Sequence, residues 1–325
     1  MPKTTITAVI VTAFEPAAGP IPGEFSYWRE REHLTTELPF AFGLRPLYLS
    51  DEGVLGVVTG VGTIRAATAI TALGLDERFD LSQAYWLVTG VCGIDPARGS
   101  LASVVLPEFV VDGDLTHELD AREIPPEWPD GFVPIGKITP YEPPCEDRFD
   151  GDDGIVFRLN PALVAWAFET AKDVELVDKP AMALRRHEFA PSETAWRAPR
   201  VLRGDELSSS TFWHGTLMCE RARRWIHYQT EGRATYAITA MEDSGILQAI
   251  KLLTSAGRAD LSRVVIVRAA SNFDQQRSGI AAAQSLAETK VTTYSAYLPA
   301  LENAYRAGAP ILKALLEALP HFEPK

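Results

Sequence analysis

A three-layer α/β fold is what this sequence predicts, on three observations. Apolar runs of strand length alternate with segments of helical period along most of the chain. Glycine-rich turns close several of those runs, at the strand ends where open α/β sheets carry their ligands. The 325 residues are 46% hydrophobic, enough for a large buried core. Even so, the longest apolar runs, such as Val264-Val265-Ile266-Val267, fall far short of the ~18 residues a membrane helix needs.

The elements follow in order. Ala8 to Phe14 reads as a buried first strand, ended by Glu15 and Pro16. Val54 to Val58 is a strand, Gly60-Val61-Gly62 its turn, and the spacing predicts a helix from about Thr63 to Leu75. Tyr85 to Thr89 is a strand ended by Gly90-Val91-Cys92-Gly93. Leu101 to Val111 has a strand pattern broken by Pro107. Asn160 to Lys172 is a helix with Pro161 in its first turn, where proline is tolerated. Thr235 to Ala240 is a strand, and a helix opens after Met241. Val264 to Ala270 is a strand, and Ala296 to Leu319 a closing helix. The stretch at about 118–153, rich in Pro, Asp and Glu, interrupts the alternation and reads as a surface insertion. A shorter candidate insertion lies at about 190–203. A single domain over 1–325 with insertions fits this pattern better than two domains.

Charge and cysteine content narrow the function. With 31 basic against 43 acidic residues the net charge is −12, so no broad attraction to nucleic acid or to an anionic membrane is expected. Cys92, Cys145 and Cys219 are far apart, form no CxxC pair, and suit a reducing compartment as small packed residues. The start of the chain resembles a strand more than a secretion signal. A cytoplasmic location is therefore expected, or a periplasmic one if a leader has been removed. The six histidines show no metal-binding spacing, and only His214 is near a candidate site. No G-x-S-x-G elbow is present, which argues against a hydrolase triad.

Four constellations stand at strand ends. Met241-Glu242-Asp243-Ser244-Gly245 is an acidic pair at a strand-to-helix junction, where the helix dipole favours negative charge. It can hold two neighbouring hydroxyls, as on a ribose, or simply cap the helix. The turns Gly60-Val61-Gly62 and Gly90-Val91-Cys92-Gly93 permit close approach of a ligand, but neither is a dinucleotide or Walker loop. In Gly204 to Trp213, three serines and a threonine precede Phe212 and Trp213, offering hydroxyls and a flat wall for a heteroaromatic base. Arg268 to Asp274 ends a buried strand; if it remains extended, Asn272 and Asp274 share a face, and an amide can read a ring nitrogen beside a carbonyl.

In this order the pieces resemble the nucleoside phosphorylase and nucleosidase superfamily, and more narrowly its purine nucleoside permease branch. The matching residues are Ala13-Phe14-Glu15-Pro16, Thr59 to Gly62, Thr89 to Gly93, Phe212-Trp213, Met241-Glu242 and Ser271-Asn272, spanning residue 6 to about 310. The resemblance implies a nucleoside phosphorylase-like fold with a mixed central sheet and surface insertions. It implies that Glu242 binds the ribose 2′- and 3′-hydroxyls with Met241 against the sugar, and that Phe212 stacks on the base. Cys92 and Gly93 would line the pocket, and Asn272, with Ser271 beside it, would handle the purine. Asn there points to 6-oxopurines such as those of inosine or guanosine, with Asp274 as an alternative proton donor. Glu15 lies near the place of the nucleosidase base. Relatives assemble as dimers, trimers or hexamers; the insertions could block or build such an interface, so a homo-oligomer is left open by the sequence.

Two positions depart from the phosphorylase pattern. Val88 and Val91 stand where an Arg and a Ser contact phosphate. Arg65 and Arg29 (or Arg31) are the remaining candidates for a phosphate site. No cofactor is expected, and phosphate enters only as a co-substrate in competition with water. The expected activity is cleavage of a purine nucleoside at its N-glycosidic bond. The rival reading is a non-catalytic nucleoside-binding protein that serves uptake, since the sequence offers no span for a membrane carrier.

Overall fold

The computed structural model describes residues 3–16, 19–143, 154–189, 192–288 and 296–318. Cys145, Leu319, His321 and residues 144–153 and 190–191 of the two expected insertions lie outside the described residues.

A 12-stranded mixed sheet carries the fold. Its centre is β1 (Ala8–Thr12), β2 (Val54–Val58) and β3 (Tyr85–Ile94), with β1 parallel to both neighbours. Further along the chain come β4 (Val104–Leu106), β5 (Phe109–Asp112), β6 (Val201–Arg203), β7 (Asp205–Ser208), β8 (Tyr236–Ala240) and β9 (Val264–Phe273). One edge of β3 pairs with β9 along almost its whole length. The other edge pairs with β1 over Tyr85 to Val88 and with β8, antiparallel, at Gly93 and Ile94. The sheet therefore divides at the middle of β3, and the division opens a crevice at the C-terminal end of β1.

Alternation along each strand builds two cores. Val9, Val11, Leu55, Val57, Trp86, Val88, Val264 and Ile266 face one cluster, against α1 (Thr63–Leu75) and, later in the chain, Ile246, Leu247, Ile250 and Leu253. Their neighbours Ala8, Ile10, Val54, Val58, Tyr85, Leu87, Val265 and Val267 face the other, against α2 (Pro161–Ala171) and Ala300, Ala304, Ile311 and Leu315 of the closing helix. Helices on both faces of the sheet make the three layers, because a strand buried on both sides needs apolar cover on each. Three further long helices are α3 (Thr216–Gln229), α4 (Asp243–Ser255) and α5 (Tyr297–Ala318).

Several expectations shift. Gly90 to Gly93 is not a turn: β3 runs on through it to Ile94. The second expected insertion contains β6, which pairs in parallel with β4 inside the sheet. The surface stretch from Glu118 carries structure of its own and packs on α3. A short ladder pairs Thr116–Glu118 with Phe132–Pro134, Arg221 of α3 lies 4.0 Å from the Phe132 ring centroid, and Tyr141 packs edge-on to Trp225 at 6.5 Å.

Candidate active site

A cavity of ≈ 230 Å³ lies at the crevice, lined from the ends of β1, β2, β3, β8 and β9. It brings together Glu242, Met241, Phe212, Trp213, Cys92, Gly93, Ser271 and Asn272, all foreseen in the sequence. It also includes Phe14, Glu24, Val61, Val91, Thr211, Thr239, Ala240 and Tyr297.

Glu242 sits where β8 gives way to α4, one residue before the helix begins, and its side chain caps nothing. Its Oε1 accepts the Gly62 N–H at 3.1 Å, and its Oε2 faces Arg268 Nη2 at 3.3 Å. Gly62 holds φ at +98°, in the left-handed region, which turns that N–H into the site. Burial pushes the Glu242 carboxyl up to about 7; Arg268 opposes the shift, and Glu24 adds to it. The capping role open to this junction is taken by another strand: Ser208 Oγ of β7 accepts the Ser244 N–H at 2.9 Å. Asp243 turns inward instead and is gripped by Arg268 Nε (3.0 Å) and Nη2.

Glu24 is the residue the sequence reading missed. It lies in an irregular segment, ten residues beyond the end of the first strand pattern, where no periodicity marks it. Its Oε2 accepts the N–H groups of Ala13 and Phe14, each at 2.9 Å, and its Oε1 accepts that of Val91 at 2.8 Å. Three donors leave one of its roughly four acceptor positions free to face the cavity. Gly90 makes room for it: a Cβ there would stand 2.4 Å from Glu24 Oε1 and 2.5 Å from Arg268 Nη1. Close approach, not a turn, requires this glycine. The expected base, Glu15, is directed elsewhere. It accepts from Phe25 N (3.2 Å) and Ser26 Oγ (3.4 Å) over Gly23 and does not line the cavity.

At the end of β9 the register against β3 slips between Ala270 and Asn272. This bulge re-aims the side chains that follow. Asn272 lines the cavity; its Oδ1 accepts from Ser271 Oγ (3.1 Å) and its Nδ2 donates to Phe273 O (2.9 Å). One amide N–H and one lone pair remain for a ligand. Asp274 does not line the cavity. It is fully buried, accepts Tyr236 Oη–H at 2.5 Å, and is pushed up to about 7 by burial and by Asp95.

The aromatic wall is as expected, but the serines are not part of it. Phe212 is half exposed over the cavity, and Trp213 is buried, 6.3 Å from Tyr236. Ser208 belongs to β7, Ser209 donates to Asp114 at 2.5 Å, and Ser210 accepts the Thr63 N–H at 3.0 Å. Another wall is Phe14 edge-on to Tyr297 at 6.2 Å, the tyrosine hydroxyl being held by Pro22 O at 3.0 Å. The proposed phosphate ligands are elsewhere. Arg65 donates to Val61 O at 3.3 Å in an exposed contact, and Arg29 lies over Tyr48 beside Glu37. Among the described residues the charged side chains of the cavity wall are Glu24 and Glu242, with no Lys, Arg or His. His214 is bonded to Ser285 at 2.9 Å, away from the cavity wall.

Residues 5–324 match the family model described as purine nucleoside permease (NUP). A probable purine nucleoside permease of Schizosaccharomyces pombe is 31% identical over 268 residues, covering 81% of this chain and 76% of its own. The purine nucleoside permease of Candida albicans is 28% identical over 283 residues, covering 85% of this chain and 68% of its own. Among solved structures, the 5′-methylthioadenosine/S-adenosylhomocysteine nucleosidase of Neisseria meningitidis superposes with a TM-score of 0.55 at 17% identity, covering 96% of this chain and 100% of that one. The futalosine hydrolase of Helicobacter pylori gives 0.54 at 13% identity, covering 96% and 99%. At such identities these two establish the likeness of fold. Among the described residues no helix is long and apolar enough to cross a membrane.

Proposed function

The chain belongs to the purine nucleoside permease family, and we propose that it cleaves the N-glycosidic bond of purine nucleosides by hydrolysis, with 6-oxopurine nucleosides such as inosine preferred. The observation that carries this is one cavity walled by two buried carboxylates, a half-exposed aromatic ring and an amide with spare hydrogen-bonding capacity.

In this reading Glu242 takes the ribose 2′- and 3′-hydroxyls on the lone pairs that Gly62 and Arg268 leave open. Its negative charge favours the oxocarbenium character that develops as the bond breaks. Phe212 stacks on the purine. Asn272 donates to or accepts from the departing base. Glu24, not Glu15, holds and deprotonates the attacking water. The cavity wall favours water over phosphate, because an anion would meet two carboxylates and no cation.

A second reading is favoured by the names of the yeast relatives: a nucleoside-binding protein in uptake, with no chemistry. One experiment separates the two. Purified protein is incubated with inosine with and without phosphate, and products are resolved chromatographically. Ribose and hypoxanthine in the absence of phosphate are expected. Ribose 1-phosphate would replace hydrolysis with phosphorolysis, and tight binding without products would support the binding-protein reading.

A further inference from the structure

Behind Glu242 lies a buried carboxyl that ligand binding does not explain. Glu206, on β7, is fully buried. Residues two apart on a strand share a face, so Glu206 points the same way as Ser208, toward the start of α4. There its carboxyl meets Asp243, with Arg268, Glu242 and the Cys92 thiol also facing it. Asp112, at the end of β5, faces Ser244 in the same region.

Four buried carboxyls, Glu24, Glu206, Glu242 and Asp243, thus share one buried guanidinium, that of Arg268. Three of them are supplied with donors. Glu24 accepts three backbone N–H groups, Glu242 accepts from Gly62 and Arg268, and Asp243 accepts twice from Arg268. Neither oxygen of Glu206 accepts a hydrogen bond from any described residue. An ionised carboxylate buried without protein donors is costly, and such a group tends to take up a proton instead. Burial and the neighbouring Asp243 accordingly push Glu206 well above the ordinary carboxyl range. A neutral acid has one O–H to give, and Asp243 is the acceptor beside it.

We propose that Glu206 is a positioning residue: it stays a neutral acid and donates its proton to Asp243, so that Asp243 holds Arg268 in the orientation that presents Nη2 to Glu242. The inference rests on the proposed function only for the part Glu242 plays with the ligand. The proton on Glu206 and its bond to Asp243 do not depend on it.

Two measurements on the full chain test it. The first is the infrared difference spectrum of wild type against Glu206→Gln at neutral pH. Loss of a protonated-carboxyl band is expected; loss of a carboxylate band would overturn the proposal. The second is calorimetric titration with inosine across pH, run in a Glu24→Gln background so that cleavage does not overlay the heat of binding. Glutamine is neutral and keeps an N–H donor for Asp243, so the midpoint of the pH dependence should move by less than ~0.3 unit. Glu206→Leu removes the donor and leaves the charge of Asp243 to act more strongly on Glu242, raising the midpoint by ~1 unit. A downward shift in Glu206→Gln would mean that the residue carries a charge. An unmoved midpoint in Glu206→Leu would mean that it only fills space. Either result sinks the proposal. If Glu206→Leu does not fold, the infrared band and the Glu206→Gln midpoint decide between the same outcomes. If inosine binds to none of the proteins, the proposed function fails while the infrared result still judges Glu206.

Discussion

Two acidic clusters flank the end of β9; each sets buried carboxyls beside an arginine, buried in the first (Arg268) and part-exposed in the second (Arg223). In the first, Glu242 and Asp243 close on Arg268, with Glu24 3.9 Å from the same guanidinium. In the second, Asp274 takes the Tyr236 hydroxyl at 2.5 Å, and Asp95 holds Arg223 through two bonds of 2.8 Å. Each contains a carboxyl that burial pushes up to about 7, Glu242 in one and Asp274 in the other. Only the first opens onto the cavity. A displaced pKa therefore marks both clusters equally and cannot tell a reactive group from a structural one. Access to a ligand-sized space makes the distinction.

The sharpest way to break the comparison is to remove one carboxyl from each cluster. Glu242→Ala should lower turnover of inosine by about 10²–10³ while the protein stays folded, the scale of deleting one group that stabilises charge in a transition state. Asp274→Asn should change turnover by less than about 3-fold and should instead lower the thermal midpoint, because it disturbs a buried bond to Tyr236. Equal losses of turnover in the two variants would erase the distinction between them.

The next test compares two carboxylates close in sequence. Glu24→Gln keeps the shape and removes the proposed base, and kcat should fall by about 10² with KM little changed. Glu15→Gln should stay within about 2-fold of wild type, since its oxygens are occupied by Phe25 and Ser26 outside the cavity. The reverse ranking would return the role of base to Glu15.

A smaller effect probes the aromatic wall. Phe212→Ala should raise KM by about 2- to 10-fold with little change in kcat, because stacking adds about 0.5–1.5 kcal/mol to ligand and transition state alike. A fall in kcat with unchanged KM would mean that the ring acts in the chemical step instead.

What the sequence discloses, and what it hides, follows from the same geometry. α1 lies at the residues its spacing predicts, Thr63–Leu75, because apolar periodicity is local and the flanking glycine turn is real. Glu242 is legible because a strand, an acidic pair and a helical pattern meet at one point. Glu24 is hidden because its importance comes from reaching back to the backbone of Ala13 and Phe14 and across to Val91, contacts that no spacing encodes. Asn272 and Asp274 do share a side, where a Cβ on Gly93 would meet both, but Asp274 stands past the end of β9 and is held under the Tyr236 hydroxyl, a contact that no spacing encodes. The helix α3 escapes notice because Arg221 lies buried on it, its guanidinium over Phe132, where a periodicity count expects an apolar residue. Gly90 reads as a turn because a sequence cannot show that two charged side chains press against it from other parts of the chain.

The smallest expected effect separates stability from chemistry within the compared pair. Glu242 and Asp274 are both raised to about 7 in the folded protein, from ordinary values of 4.5 and 3.8. Between those limits the folded state binds more protons than the unfolded one, so each carboxyl stabilises the fold at low pH and withdraws that contribution as pH rises through about 7. Glu242→Gln and Asp274→Asn should therefore each flatten the decline of stability with pH relative to wild type, by about 1 kcal/mol per pH unit at most. Denaturant titrations at several pH values measure this. The two variants should look alike in that experiment and differ in the other: the pH dependence of turnover should survive in Asp274→Asn, because Glu242, the proposed ribose ligand, is still present. A flattened turnover profile in Asp274→Asn would mean that the closed cluster is coupled to the open one through β9, and that the wall between them is not an electrostatic boundary.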